Sequence, residues 1–204
     1  EVLHNWWGNG VYVDWAGGNW SEGLTTFQAD HAYAEDEGPQ AGAELRLAWL
    51  RDFAAVPPGE DLPLERFTAR RHGSAQAVGY HKGAFLFLML RDRIGAAAFE
   101  AGLRRFWREQ RGRAAGWADL RQAFEAAAGR DLEAAFAPWL RRAGAPGIRV
   151  EGARVEAGAS GHRLRLALVQ EAPAYPLLVP LAVGTEAGEE VRRLALAEPR
   201  REFV

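Results

Sequence analysis

The chain has 204 residues, of which 48% are hydrophobic and 25% charged, a balance that excludes an intrinsically disordered protein. Its formal net charge is −2 with no long basic block, so the sequence does not favour binding to nucleic acid or to an anionic membrane. Cysteine is absent, which excludes disulfides and thiolate zinc sites, and the longest apolar run, Gly83 to Leu90, is far shorter than the roughly 20 residues of a membrane span. We expect a soluble protein whose metal ligands, if any, are His, Asp or Glu.

Both ends of the sequence predict an internal piece of a longer protein. The first residues, Glu1 to Trp7, are already rich in side chains that are usually buried, and no leader sequence precedes them. The last residues, Arg201 to Val204, lie in a strand-like stretch. We therefore expect a fragment.

Up to about Arg142 the apolar residues follow helical spacing. A short helix through about Trp7 precedes an irregular stretch rich in Gly and Trp. Ser21 is the predicted N-cap of a helix over 22–35, which Gly38 and Pro39 end. Further helices are predicted over 41–53, 80–94, 97–110, 117–128 and 132–142.

The pattern changes at the segment 144–147, Gly-Ala-Pro-Gly, which breaks the helical period. Four segments beyond it have the length and alternation of strands: 149–156, 162–170, 177–183 and 190–197. The sequence thus predicts an α+β chain, with a helical bundle over 1–146 and a small antiparallel β unit over 147–204.

Glu1 and His4 are three residues apart, which places them on one face of a helix. A lone E-x-x-H pair is a weak signal, because a solvated Glu beside a core His produces it by chance. Three further segments strengthen it: Asn5-Trp-Trp-Gly-Asn9, Trp20-Ser-Glu-Gly23 and Gly79-Tyr-His-Lys-Gly83.

In this order the segments resemble the gluzincin zinc aminopeptidases, the family of aminopeptidase N and leukotriene hydrolase. In that family an H-E-x-x-H motif is followed by an aromatic-Gly-Asn segment, a Trp-containing stretch that ends in Glu-Gly, and a Y-x-K-G helix start. The resemblance continues to Pro146 and covers about three quarters of the chain. It implies the C-terminal, helical part of a thermolysin-like catalytic domain, followed by a β-sandwich that is truncated.

The resemblance also implies roles for four residues around one zinc ion. His4 corresponds to the second histidine ligand, Glu22 to the carboxylate ligand, Glu1 to the general base and Tyr80 to the hydrogen-bond donor for the oxyanion. Hydrolytic zinc sites keep three protein ligands and one water, whose pKa falls to about 7, and a nearby carboxylate can accept its proton. Tyr80 also has a plainer interpretation, as a core aromatic at a helix start.

Some family features lie outside the sequence. The histidine that directly precedes the motif's Glu and the Gly-x-Met-Glu-Asn motif that holds the substrate amine are not present. The spacing from His4 to Glu22 is one residue shorter than is usual in the family, and we place the difference in the loop 15–19. We expect the intact protein to act on peptides with a free N-terminus, and this chain alone to be inactive and to bind zinc weakly or not at all.

Two other classes of function stay open: a catalytically dead binding module on the same fold, and another hydrolase, either an endopeptidase or an epoxide hydrolase. The combination of all four site residues argues against the binding module, which has no need of them. The remaining acidic and histidine side chains receive no catalytic role. A solvated helix face is predicted for Asp14, Asp30, His31, Glu35 and Asp36, a structural role for His81, and no role for His72 or His162.

Overall fold

The computed structural model describes residues 1–70, 73–158 and 161–204. They form two compact units, Glu1–Gly144 and Ala145–Val204. The first is mainly helical and the second consists of antiparallel strands, so the predicted α+β fold class is confirmed. That these units are parts of two domains of a longer enzyme stays a prediction.

The first unit begins with short elements that the sequence pattern did not reveal. A 3-10 helix, Val2–Asn5, takes the place of the helix predicted through Trp7. Three short strands, β1 (Trp7–Gly8), β2 (Val11–Val13) and β3 (Ala114–Ala115), then form a parallel sheet in the order β1-β2-β3. Strands of two or three residues are too short to show an alternating pattern.

Eight α-helices follow in the described part of the first unit; the one at Gly73–Gln76 was not predicted, and the other seven lie near the six predicted segments, of which 22–35 is divided in two. They are α1 (Trp20–Thr26), α2 (Ala32–Glu37), α3 (Pro39–Ala54), α4 (Gly73–Gln76), α5 (Gly83–Ile94), α6 (Ala96–Gln110), α7 (Trp117–Ala128) and α8 (Glu133–Arg141). A first π segment, Phe27–His31, joins α1 to α2, and a second π segment, Ala77–Lys82, joins α4 to α5.

The predicted N-cap of α1 was wrong by two residues. The cap is Asn19, whose side-chain oxygen accepts hydrogen bonds from Ser21 N at 3.0 Å and from Ser21 Oγ at 2.7 Å. Both residue types are good caps, so composition alone does not separate them. Gly38 ends α2 with a φ of 137°, as predicted, and Pro39 opens α3 two residues before the predicted start.

The helices pack around a core of large aromatic side chains. The fully buried ones include Trp20, Phe87, Phe106, Phe124 and Phe136. Trp20 packs edge-on against Phe106, with ring centroids 5.2 Å apart, and its Nε1 donates to the carbonyl of Ala115 at 2.7 Å. The start of α1 is therefore held against the small sheet as well as against α6.

α1 and α5 cross at an unusually short distance. A Cβ atom on Gly23 would lie 2.8 Å from the backbone of Gly83, and one on Gly83 would lie 3.0 Å from Cα of Gly23. Only glycine on both helices allows this contact. Because Glu22 precedes Gly23 and the second π segment ends at Gly83, the crossing brings the two candidate site segments together.

The second unit contains two antiparallel sheets. One has the order β4-β5-β8, with β4 (Ile148–Gly158), β5 (Gly161–Gln170) and β8 (Arg200–Phe203); the other pairs β6 (Leu177–Thr185) with β7 (Gly188–Leu196). Leu166 and Leu168 of β5 form one buried cluster with Leu196 of β7, as the two layers of a sandwich do. β8 lies in the strand-like stretch that the sequence indicated over 201–204.

Within the described ranges, none of the helices combines the length and the apolar character that crossing a membrane requires.

The glycine contact predicts a specific loss of stability. In Gly23→Ala the new methyl group meets the backbone of α5, which cannot move as a side chain can, so we expect the free energy of unfolding to fall by about 1–3 kcal/mol. Urea denaturation of the 204-residue chain measures it. Gly17→Ala is the matched control, because a Cβ there meets no atom within 4 Å, and equal stability loss in both variants would contradict the contact.

Candidate functional site

His4 lies in the 3-10 helix and points its ring at α1. Its Nδ1 is 2.9 Å from the carbonyl oxygen of Trp7. A carbonyl only accepts hydrogen bonds, so Nδ1 carries the hydrogen, and Nε2 is the ring nitrogen that faces Glu22. Nε2 lies 3.3 Å from Oε2 of Glu22, and the two side chains are 23% and 20% exposed, which leaves the pair accessible.

Glu22 is placed by the first turn of α1. The Asn19 cap connects that turn to the preceding part of the chain: the Asn19 backbone N–H donates to the carbonyl of Phe67 at 2.6 Å, and its side-chain amide donates to the carbonyl of Thr68 at 3.3 Å. The helix start that carries Glu22 is thus tied to the segment leading into α4 and Tyr80.

Tyr80 lies in the second π segment, and its hydroxyl is hydrogen-bonded to the Glu22 carboxylate. Burial raises the pKa of Tyr80 to about 12, with further contributions from the negative charge of Glu22 and its hydrogen bond and a smaller one from Glu1, while Arg70 acts in the opposite direction. The hydroxyl therefore keeps its proton at neutral pH and acts as a hydrogen-bond donor.

The aromatic ring of Phe67 sets the position of the Tyr80 ring. The two ring centroids are 6.1 Å apart at an interplanar angle of 78°. The Phe67 ring also occupies the space that a Cβ atom on Gly79 would need, which explains a glycine directly before Tyr80. Phe67 is 1% exposed, so this support is rigid.

The structure thus brings together the four predicted site residues. His4 and Glu22 are in direct contact, Tyr80 is bonded to Glu22, and exposed Glu1 is near enough for its charge to raise the pKa of Tyr80. The main-chain carbonyl of Glu1 accepts from His4 N at 3.1 Å, so the 3-10 turn holds both residues.

The His4–Glu22 geometry fits a zinc ion. Two ligands of tetrahedral zinc, each about 2.0–2.2 Å from the metal, hold their donor atoms about 3.3–3.5 Å apart, and the observed separation is 3.3 Å. The hydrogen bond from His4 Nδ1 to a carbonyl is the usual outer contact of a metal-bound histidine. Within the described residues, no set of three or more His, Asp or Glu side chains forms a metal site, and His4 and Glu22 are the two candidate donors found there.

The prediction of a solvated face was wrong for His31. This residue is 0% exposed, stacks on Phe27 with centroids 5.5 Å apart, and approaches Arg46 Nη1 through Nε2 at 3.0 Å. The π segment adds a residue to the turn, which a regular helical spacing does not anticipate. Glu35 forms a two-bond ion pair with Arg91, at 2.6 and 2.8 Å, which is a structural contact.

The other histidines take no part in the site. His81 is stacked on Trp49, with centroids 5.6 Å apart, and its Nδ1 lies 3.4 Å from Asp52, in agreement with the predicted structural role. Burial lowers its pKa, so the ring is neutral at pH 7. His162 is exposed on β5, and His72 lies outside the described residues.

Lys82 belongs to the segment 79–83 that the sequence singled out but was given no role there, and the structure buries it two residues after Tyr80. A signal for it was available, because Lys82 is the one lysine among the 25 Lys and Arg residues of the sequence.

Comparison with known proteins agrees with this geometry. The chain is 31% identical over 179 residues to aminopeptidase N of Haemophilus influenzae, covering 85% of the chain and 20% of that protein. It is 30% identical over 164 residues to aminopeptidase N of Caulobacter vibrioides, covering 75% of the chain and 18% of that protein. No protein-family model matches.

Solved structures show the same likeness. A mutant of the M1 zinc metallopeptidase of Deinococcus radiodurans, bound to a Tyr-Ser-Ala substrate, superposes with a TM-score of 0.57 at 28% identity, covering 72% of the chain and 32% of that protein. Aminopeptidase A of Legionella pneumophila, in complex with aspartic acid, shares the fold over 100% of the chain and 23% of its own length, with a TM-score of 0.68 at 22% identity.

The chain belongs to the gluzincin zinc aminopeptidases, the M1 family of metallopeptidases. It spans about a fifth of the length of the curated relatives it matches.

The environment of Tyr80 predicts its titration. The folded-state pKa of about 12 lies above the ordinary value of about 10, so the folded chain holds its proton longer than the unfolded chain does, and this contribution to stability is lost as the pH rises from about 10 to about 12. Phenolate absorbance of the wild-type chain minus that of Tyr80→Phe isolates this group. An ionisation near pH 10 in the difference curve would contradict the hydrogen bond to Glu22.

Proposed function

We propose that the protein containing this chain is a zinc-dependent aminopeptidase that hydrolyses the first peptide bond of substrates with a free N-terminus. The observation that carries the proposal is the contact of His4 Nε2 with Glu22 Oε2 at 3.3 Å, with the Tyr80 hydroxyl bonded to the same carboxylate. An imidazole, a carboxylate and a phenol converge on one accessible place, as peptide hydrolysis at zinc requires.

The residues of this chain divide the work by their chemistry. His4, through Nε2, and Glu22 would hold the zinc ion from this chain, and zinc bound there would polarise the scissile carbonyl and lower the pKa of the attacking water. Glu1 is not a ligand, so its carboxylate accepts the proton of the attacking water and passes it to the leaving amine. Tyr80 keeps its proton and donates a hydrogen bond to the oxyanion that develops on the carbonyl oxygen.

Restriction to a free N-terminus rests on the relatives. Two of them are named aminopeptidase N, and the Deinococcus radiodurans enzyme was solved with the peptide Tyr-Ser-Ala. The names favour an exopeptidase over an endopeptidase, an epoxide hydrolase or a binding module without activity.

Removing one hydroxyl group tests the proposal. In the intact enzyme we expect Tyr80→Phe to lower kcat by about a hundredfold or more with a small change in KM, because the lost hydrogen bond forms to the oxyanion of the transition state. The matched control is Tyr33→Phe, which removes the hydroxyl of a tyrosine that is 73% exposed, and should leave kcat unchanged.

The substrate side of the same experiment separates the alternatives. Peptides with a free N-terminus should be cut, and the same peptides with an acetylated N-terminus should not. Cleavage of the blocked peptides alone would contradict an aminopeptidase, and absence of any cleavage would favour a binding module.

The two-ligand donor set predicts weak zinc binding by the 204-residue chain on its own. Complete structural zinc sites bind with about 10–16 kcal/mol, and half of such a donor set leaves far less. Isothermal titration with Zn²⁺ should give a Kd no tighter than micromolar, and His4→Ala should abolish the remaining heat. Stoichiometric binding in the nanomolar range would show a third ligand and overturn this expectation.

A further inference from the structure

The ammonium group of Lys82 lies in a closed environment on the far side of the helix from Tyr80. Its side chain is 2% exposed, Nζ donates to the carbonyl of Arg142 at 3.1 Å, and Asp61 Oδ1 lies 3.7 Å away. The ring of Phe53 covers it, with Nζ 5.5 Å from the centroid. Burying a charged group costs much free energy unless it is paired, so this position carries a constraint that surface cations do not.

The composition of the chain points to a requirement for lysine at this position. Of the 25 basic side chains, 24 are arginine and only Lys82 is lysine. An ammonium is a compact point charge with three donors, whereas a guanidinium is a wide planar fork. A chain that uses arginine at every other basic position has the smaller cation at this buried one.

Lys82 and Tyr80 lie on one helical turn and connect it to neighbouring elements on opposite sides. Side chains two residues apart on a helix point in nearly opposite directions. The contacts agree with this: Tyr80 is hydrogen-bonded to Glu22 on α1, while Lys82 donates to the carbonyl of Arg142, just after α8. The turn between them is the second π segment, and such segments interrupt the regular bonding of a helix. The orientation of this segment about the helix axis therefore depends on the contacts of its side chains.

We propose that Lys82 is a positioning residue for Tyr80, anchoring the second π segment through Asp61 and the Arg142 carbonyl so that the phenol hydroxyl stays on the zinc-binding carboxylate of Glu22. Asp61 strengthens the anchor, because its other oxygen accepts a hydrogen bond from the Gly144 backbone N–H. Lys82 itself touches neither the substrate nor the other site residues. The inference rests on the proposed function for its catalytic consequence, but the coupling of Lys82 to Tyr80 is a property of this chain alone.

A double-mutant cycle in the intact enzyme tests the catalytic consequence. Lys82→Met should lower kcat about tenfold with little change in KM, and in the Tyr80→Phe background the same change should cost less than about twofold. The control is Arg104→Met, which removes an exposed cation and should have no effect in either background. Equal losses from Lys82→Met in both backgrounds would overturn the proposal, because a purely structural effect is independent of Tyr80.

The milder variant Asp61→Asn keeps the Arg142 contact of Lys82 and serves if Lys82→Met does not fold. It should show a smaller loss of kcat that likewise disappears in the Tyr80→Phe background. A wild-type enzyme without peptidase activity would instead refute the proposed function.

Tyrosine-ring ¹³C NMR of the 204-residue chain tests the coupling without activity. The chain has four tyrosines, and Tyr80 is the signal lost in Tyr80→Phe. Its ring packs edge-on against the Phe67 ring, with centroids 6.1 Å apart, and the nuclear Overhauser contacts between the two rings should weaken in Lys82→Met or Asp61→Asn as the Tyr80 ring moves. Arg104→Met should leave these contacts unchanged. Wild-type contacts in both Lys82→Met and Asp61→Asn would overturn the proposal.

Discussion

Contact between two glycines, Gly23 on α1 and Gly83 on α5, is the constraint on which the rest of the site depends. Each Cα occupies the space where the other would carry a side chain, so the two helices touch backbone to backbone. Glu22 stands next to one glycine, and the segment of Tyr80 ends at the other. A methyl group at the crossing would force apart the Glu22 carboxylate and the Tyr80 phenol, which are hydrogen-bonded to each other.

Around that crossing, hydrogen bonds and ring contacts fix the positions of the site residues. The Asn19 cap ties the start of α1 to the backbone at Phe67 and Thr68, and the Phe67 ring fills the space beside Gly79 and holds the Tyr80 ring. The hydrogen bond to the carbonyl of Trp7 orients the His4 ring so that Nε2 faces the carboxylate of Glu22. Hydrogen bonds to the backbone therefore hold the elements that carry the site residues.

Burial shifts the pKa of two groups on this turn, the Tyr80 hydroxyl and the Lys82 ammonium, away from their ordinary values. The Tyr80 hydroxyl, buried beside carboxylates, has its pKa raised to about 12 and remains a donor, whereas burial lowers the pKa of the Lys82 ammonium against the opposing effect of Asp61. Each group is stabilised only by a partner from another element, Glu22 for the phenol and Asp61 with Arg142 for the ammonium. The helical turn that carries Tyr80 and Lys82 is thereby held by polar contacts on two sides.

The sequence by itself determined the fold class and most helices, because helical periodicity is a local pattern, and its spaced segments around Glu1, Glu22 and Tyr80 carried the resemblance that selected the four candidate site residues. It did not determine the parallel strands β1 to β3 or the inward turn of His31, since very short strands and π segments have no period of their own. The burial of Lys82 and the meeting of Gly23 with Gly83 were decided only by tertiary structure. Each depends on a contact between residues about 60 positions apart in the sequence, Lys82 with Arg142 and Gly23 with Gly83. Local sequence patterns do not show such contacts, because only folding brings the two residues together.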